Sequence, residues 1–255
     1  MILAIDIGNS NICVGAYKDG EALFSARVRT DALKTETEYA VLFDEIFAIH
    51  RVSPSALEGA AISCVVPALT SIISDAVKML ADVPVMTVGP GIKTGLDIRI
   101  DNPSELAGDL VCTAVGAMEK YPLPAIIIDL GTATKITVVD ENRRYIGGAI
   151  APGVTVSLSA LTKTTAMLPS VSLNTNIRPI CGDTAGAMLS GSILGTASML
   201  DGMIDRYLEA LGKDVKTVVA SGGLAKAVVP HCRRKVLLDP DLLLDGLLAI
   251  YRKNR

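Results

Sequence analysis

One ten-residue phrase occurs twice in this chain, so the fold must accommodate two like pieces. The first copy is Ile2-Leu3-Ala4-Ile5-Asp6-Ile7-Gly8-Asn9-Ser10-Asn11, and the second is Ala125-Ile126-Ile127-Ile128-Asp129-Leu130-Gly131-Thr132-Ala133-Thr134. Each copy is an apolar run, read as a buried strand, that ends in Asp-apolar-Gly and small polar residues. A second apolar stretch follows each one, at 12–16 and at 135–139, so each copy predicts a β-hairpin with a carboxylate and a glycine at its turn. Glycine there permits positive φ and close approach of backbone N–H groups to phosphate oxygens. Asn9, Ser10, Thr132 and Thr134 add side-chain donors. Asp6 and Asp129 would repel phosphate directly, and they make sense where a hard cation such as Mg²⁺ lies between carboxylate and phosphate. Two such turns facing each other across a cleft could hold a polyphosphate and its metal.

The 255 residues suit two domains of ordinary size. The repeat places their boundary near Pro122, giving an N-terminal α/β domain over 1–121 and a C-terminal one over 122–255. In the first half, strands are expected at 2–6, 12–17, 22–28, 59–66 and 85–88. Helices are expected at 36–50 and from Pro67 to 80. An irregular segment, 89–103, precedes a helix capped by Ser104 and running to 120. The second half repeats the hairpin and adds strands at 145–150, 217–220 and 235–238, with helices at 154–166, 183–210 and 241–251. Three strands followed by helix–strand alternation, twice over, is the pattern of a duplicated α/β fold with a central cleft.

Half of the residues are hydrophobic and Trp is absent, so the core must be built from aliphatic side chains. A net charge of −3 argues against nucleic acid as a partner. The five cysteines contain no Cys-x-x-Cys pair, which reads as reduced thiols in a cytoplasmic protein. Two uncharged stretches, 145–162 and 184–200, approach membrane-spanning length. Both are rich in Gly, Ser and Thr and are read as buried helices and turns, with no membrane partner. The opening residues lack the basic flank of a signal peptide.

Two further loops carry candidate chemistry. Ser221-Gly222-Gly223 follows an expected buried strand, where glycines suit close approach to a nucleoside or phosphate. Asp109 stands on the first turns of a helix whose other face (Val111, Ala114, Val115, Met118) is apolar. A kinase needs one carboxylate free of metal to take or orient the proton of the attacking hydroxyl, and Asp109 is the candidate.

The chain resembles the type III pantothenate kinases, of the superfamily that includes sugar kinases and actin. The resemblance rests on Asp6-Ile7-Gly8-Asn9-Ser10, Ser63-Cys64-Val65-Val66-Pro67, Lys93-Thr94-Gly95-Leu96, Asn102-Pro103-x-Glu105, Asp129-Leu130-Gly131-Thr132-Ala133-Thr134, Gly147-Gly148-Ala149-Ile150-Ala151-Pro152-Gly153, Leu168-Pro169-x-Val171, the Thr184-to-Gly191 spacing, Ser221-Gly222-Gly223 and Pro240-Asp241-Leu242 with Gly246-Leu247. It implies duplicated ribonuclease H-like, actin-like ATPase domains with a central nucleotide cleft. It also implies ATP-dependent phosphorylation of pantothenate, the first step of coenzyme A synthesis, by a homodimer.

On this resemblance, Asp6, Ile7, Gly8, Asn9, Ser10, Asn11, Ile12 and Cys13 hold ATP phosphates and Mg²⁺. Gly131, Thr132, Ser221, Gly222 and Gly223 also face ATP. Asp109 is the general base, and Asp129 binds a monovalent cation, K⁺ or NH₄⁺. The pantothenate side comprises Ile100, Ala107, Gly108, Asp109, Leu110 and Thr184. There the chain departs from the family pattern of Gly-x-Asp-Arg. It reads Ala107-Gly108-Asp109-Leu110, with Ile100 at an aromatic position and Cys181 where a glycine is usual. Arginine is the natural partner of a substrate carboxylate. Its replacement by Leu110 keeps two alternatives open: a kinase of another small hydroxylated acceptor, and a catalytically weak nucleotide-binding regulatory homologue. Arg99 is a candidate for the missing charge.

Overall fold

The computed structural model describes residues 1–173 and 177–255. The chain divides into two compact units. Unit 1 comprises Met1–Leu96, Asp101–Lys120 and Asp241–Arg255, and unit 2 comprises Asp97–Ile100 and Tyr121–Pro240. Residues 241–255 therefore group with unit 1, whereas the sequence reading placed everything after 122 in the second half.

Unit 1 is built on five strands: β1 (Ile2–Ile7), β2 (Asn11–Lys18), β3 (Glu21–Arg29), β4 (Gly59–Cys64) and β5 (Val85–Thr87). Their order is β3-β2-β1-β4-β5, with β1, β2 and β3 antiparallel and β1, β4 and β5 parallel. Every residue of β1 is buried, and its period-2 alternation separates two faces. Leu3, Ile5 and Ile7 join one core with the helices α1 (Glu36–Ile49) and α2 (Thr70–Leu80), where Phe43, Phe47 and Ile73 are fully buried. Each such side chain contributes about 1.5–3 kcal/mol by leaving water. Thr35 and Glu38 close a reciprocal capping box that fixes the start of α1.

On the opposite face the strands present Ala4, Gly59 and Ala61, residues small enough for two helices to approach closely. These are α3 (Gly108–Lys120) and α7 (Leu242–Lys253). The two cross backbone to backbone. A Cβ added to Gly116 would collide with the Leu242 carbonyl, and one added to Gly246 would collide with the Cys112 carbonyl. Tyr17 and Lys120 both bond the Asp245 carboxylate, at 2.9 and 2.5 Å, and tie α7 to β2 and α3.

Unit 2 repeats the strand order. β7 (Ala125–Leu130), β8 (Ala133–Val139), β9 (Arg144–Pro152), β10 (Thr217–Ser221) and β11 (Leu237–Leu238) run β11-β10-β7-β8-β9. The pairing senses match those of unit 1, and β6 (Asp97–Ile98) adds a parallel sixth strand beside β9. Ile126, Ile128 and Leu130 pack against α5 (Thr184–Leu211) through Ile193, Ala197 and Leu200. Two shorter helices are α4 (Val154–Thr164) and α6 (Ala225–Val228). This is a duplicated ribonuclease H-like α/β fold. By length and composition α5 could cross a membrane, and 39% of its most apolar window is buried in the structure.

Three expectations shift. The helix expected from Ser104 begins at Gly108, because Pro103–Glu105 forms a 3₁₀ turn and the Ser104 hydroxyl donates to Asn102 Oδ1 at 2.6 Å instead of capping. Pro67 likewise opens a 3₁₀ turn, Pro67–Leu69, before α2 begins. The segment read as irregular, 89–103, contains β6.

Gly116→Ala is expected to destabilise the protein by about 3 kcal/mol or more, since two backbones must part to admit one methyl group. Urea unfolding followed by circular dichroism would measure it, and an unchanged midpoint would mean that the crossing is looser than described.

Candidate functional site

Strand alternation decides where the repeated aspartates face. Asp6 lies on the Ala4 face of β1, opposite the α1 and α2 core. Its cross-strand partners are Cys13 on β2 and Ser63 on β4. The first turn of α3 arrives on that same face, and a Cβ on Gly108 would sit 3.5 Å from Ser63 Oγ. Asp6, Ser63 and Asp109 are all at least nine-tenths buried.

The thiol of Cys112, one turn beyond Asp109, is the common neighbour of this group. Burial above all, then the charge on Asp6, pushes it well above the ordinary thiol range. A bond with Ser63 opposes that shift and the charge on Asp109 adds to it. One thiol therefore feels both carboxylates, and the start of α3 shares the sheet face of Asp6 and Ser63 within unit 1. Asp109 Oδ1 accepts from the Leu110 amide at 2.8 Å, which orients the carboxylate at the start of the helix.

The Asp6 turn is held from below. Gly8 N–H donates to the Asn11 carbonyl at 3.0 Å, and Thr30 ties the loop through its hydroxyl to the Gly8 carbonyl at 2.6 Å and its amide to the Ser10 carbonyl at 3.1 Å. Gly8 and Gly131 do not take positive φ, contrary to expectation. At Gly8 the demand is space, since a Cβ would stand 2.9 Å from the Asn11 carbonyl. Asn9, Ser10 and Asn11 are exposed, and Ile12 is buried.

In unit 2 the same register recurs. Asp129 pairs with Lys135 on β8 and with Ser221 on β10, as Asp6 pairs with Cys13 and Ser63. The Ser221-Gly222-Gly223 loop closes on this turn. Gly222 has φ +95°, and its Cα faces the Leu130 backbone so closely that a Cβ would lie 2.6 Å away. The Leu224 amide donates to the Leu130 carbonyl at 3.0 Å, as the Val65 amide donates to the Ile7 carbonyl in unit 1. Gly153 N–H bonds the carbonyl of Thr132, whose side chain is exposed.

Mg²⁺ fits the Asp6 side. Asp6 is a buried carboxylate whose register partners Cys13 and Ser63 are not basic, and Mg²⁺ commonly takes one or two carboxylates plus phosphate oxygens. Among the described residues, no group of three or more His, Cys, Asp or Glu side chains could hold a metal alone. A monovalent cation does not fit Asp129 in the same way, because Lys135 Nζ lies 3.0 Å from Asp129 Oδ2.

The acceptor-side expectations are scattered over both units. Ala107, Gly108 and Leu110 lie at the start of α3, with Leu110 half-buried. Ile100 lies in unit 2, with its Cγ2 3.7 Å from where a Cβ on Gly147 would be. Thr184 is exposed on the first turn of α5, whose N-cap Asp183 accepts from the Gly186 amide at 2.7 Å. Beside it is a cavity of about 390 Å³ lined by Arg178, Cys181, Asp183, Gly186, Ser170 and Leu189, among others. Arg99 is engaged by Asp97 at 2.8 Å. Ser63, Cys112, Lys135 and Arg178 went unassigned in the sequence. Only Cys112 carried a local signal, its one-turn spacing from Asp109.

The sequence profile described as type III pantothenate kinase matches residues 2–206. A type III pantothenate kinase of Syntrophus aciditrophicus is 39% identical over 254 residues, covering 100% of both chains. Among solved structures, a Campylobacter jejuni protein assigned to the Baf family of transcriptional activators superposes with a TM-score of 0.59 at 16% identity, over 99% of this chain and 98% of that one. A protein assigned as an N-acetylglucosamine kinase from Porphyromonas gingivalis gives 0.52 at 14% identity, over 100% and 99%. At such identities the structural likenesses establish the fold alone.

Burial makes a simple expectation for Cys112. In the native protein at mildly alkaline pH, iodoacetamide should leave it unmodified and reach it only after unfolding in urea. Peptide mass spectrometry reads the result, and a native-state adduct on Cys112 would contradict the enclosed geometry.

Proposed function

The chain belongs to the type III pantothenate kinase family, and from that we propose that it transfers the γ-phosphoryl group of ATP to pantothenate, giving 4'-phosphopantothenate at the start of coenzyme A synthesis. The observation that supports this reading is that the first turn of α3, which carries Asp109, lies on the same sheet face as Asp6 and Ser63. One carboxylate is then available for metal and phosphate, and a second for proton transfer.

In this reading the acceptor hydroxyl attacks the γ-phosphorus in line. An oxygen–phosphorus bond forms, the bond to the β-phosphate oxygen breaks, ADP leaves, and the hydroxyl proton passes to the Asp109 carboxylate. The amides and side chains of Asp6, Ile7, Gly8, Asn9, Ser10, Asn11, Ile12 and Cys13 supply the phosphate contacts of unit 1. Gly131, Thr132, Ser221, Gly222 and Gly223 supply those of unit 2. Asp6 would hold Mg²⁺, which when bound neutralises charge on the phosphate oxygens.

The acceptor carboxylate needs a cation that Leu110 does not provide. We assign that role to Arg178, which lines the cavity next to Thr184. Ile100, Ala107, Gly108 and Leu110 complete the acceptor contacts on the family pattern. A homodimer in the cytoplasm belongs to the same proposal. It is supported by an exposed stripe of small residues on α5 (Ala187, Gly191, Gly195, Ser198, Gly202) that leaves open space beside its glycines.

Leu110 also supports a second reading, a kinase of the same chemistry acting on another small hydroxylated acceptor without a carboxylate. ADP release with pantothenate and with its uncharged alcohol analogue separates the two. Saturable turnover of pantothenate alone supports the first, and preference for the alcohol supports the second.

Asp109→Asn should lower turnover by about 10²–10⁴-fold, the usual worth of a positioned general base, while ATP affinity by titration calorimetry stays unchanged. Equal turnover would remove Asp109 from the chemistry. Arg178→Ala should raise the pantothenate KM about ten- to a hundredfold with kcat little changed, as expected for a lost charged hydrogen bond to ground-state substrate. An unaltered KM would return the question to Leu110.

A further inference from the structure

The two repeated turns match in register, and one of the positions where they differ changes the charge beside the carboxylate. Across β1 and β2, Asp6 faces Cys13, a neutral thiol that brings no positive charge. Across β7 and β8, the equivalent Asp129 faces Lys135. Its Nζ lies 3.0 Å from Asp129 Oδ2, and both side chains are only 19% exposed. The Asp129 carboxylate thus already has a cation attached to the chain.

We propose that Lys135 is an internal monovalent cation for the phosphate site, standing on Asp129 where K⁺ or NH₄⁺ would otherwise bind, so that the protein needs neither ion. The proposal rests on the kinase reading above. A lysine headgroup is an ammonium with a single positive charge and three N–H donors, close in charge and hydrogen-bonding capacity to free NH₄⁺. Held at 3.0 Å from the carboxylate, it would repel a second monovalent cation from the same oxygen atoms.

The surroundings suit that role. Asp129 closes the strand that leads into Gly131 and Thr132, and Gly222 packs on the Leu130 backbone beside it. A fixed positive charge on this turn would act on phosphate without any ion being captured from solution. The ordering entropy is also smaller, since the ammonium is tethered to a strand whose register sets its position.

The test uses the full chain, dialysed into choline chloride, and compares it with KCl at equal ionic strength. ATP affinity is read by titration calorimetry, and pantothenate-dependent ADP release is read in parallel. Wild-type ATP affinity should agree between the two salts within about twofold, well inside the effect of one charged hydrogen bond. In Lys135→Met, ATP affinity in choline chloride should fall about ten- to a hundredfold and recover with KCl or NH₄Cl. Lys135→Arg, which keeps the charge, should remain indifferent to K⁺.

A wild-type affinity that rises tenfold or more on adding KCl overturns the proposal, whether or not the variants fold. So does a Lys135→Met protein that binds ATP like the wild type in choline chloride, since the pair is then only a structural tie. If the affinities behave as expected but pantothenate yields no ADP, the acceptor reading falls and the role of Lys135 stands. Absence of ATP binding in both salts overturns both.

Discussion

Two helices meet in unit 1 with no side chain between them, and most of what is described above follows from that contact. Gly116 of α3 and Gly246 of α7 let the backbones touch. The small strand face formed by Ala4, Gly59 and Ala61 lets both helices lie low on the sheet. A helix packed so closely has little freedom to slide, so its first turn is delivered to a fixed place beside Ser63. The acid on that turn then shares a sheet face with the strand-end acid of β1, and the buried thiol of Cys112 feels both charges. Position here comes from the absence of side chains some distance from the chemistry.

The second organising fact is duplication followed by divergence. Asp6 and Asp129, Ser63 and Ser221, and the two amide bonds that close on Ile7 and Leu130 occupy matching places in the two sheets. Such agreement fixes the strand ends and lets single positions vary without moving the turn. Cys13 and Lys135 are one such pair. A change of side chain on a rigid, register-locked strand alters local charge while the backbone around it stays as it was, the kind of step by which two copies of a binding turn take on separate tasks.

The strands and the two carboxylate turns were legible because their signals are local: an apolar run, an aspartate, a glycine. The helix expected at 36–50 was legible for the same reason. What the sequence hid depends on contacts between distant segments. Ser63 becomes a neighbour of Asp6 only through parallel pairing across more than fifty positions. Lys135 reads as an ordinary strand residue until its register with Asp129 is known. The start of α3 was misplaced because Ser104 prefers Asn102 to the helix, a choice between two short-range bonds that propensity does not resolve. The return of residues 241–255 to unit 1 had no local sign except Gly246, whose meaning depends on Gly116.

That return has a consequence for how the protein comes into being. The ribosome delivers α7 only after all of unit 2 has emerged, although α7 covers the sheet face on which Asp6 and Asp109 meet. Unit 2 is contiguous apart from Asp97–Ile100 and can assemble while translation continues, since domains generally fold as units during synthesis. Unit 1 is complete only when α7 docks over the strand face formed by Ala4, Gly59 and Ala61, after the whole of unit 2 has been made.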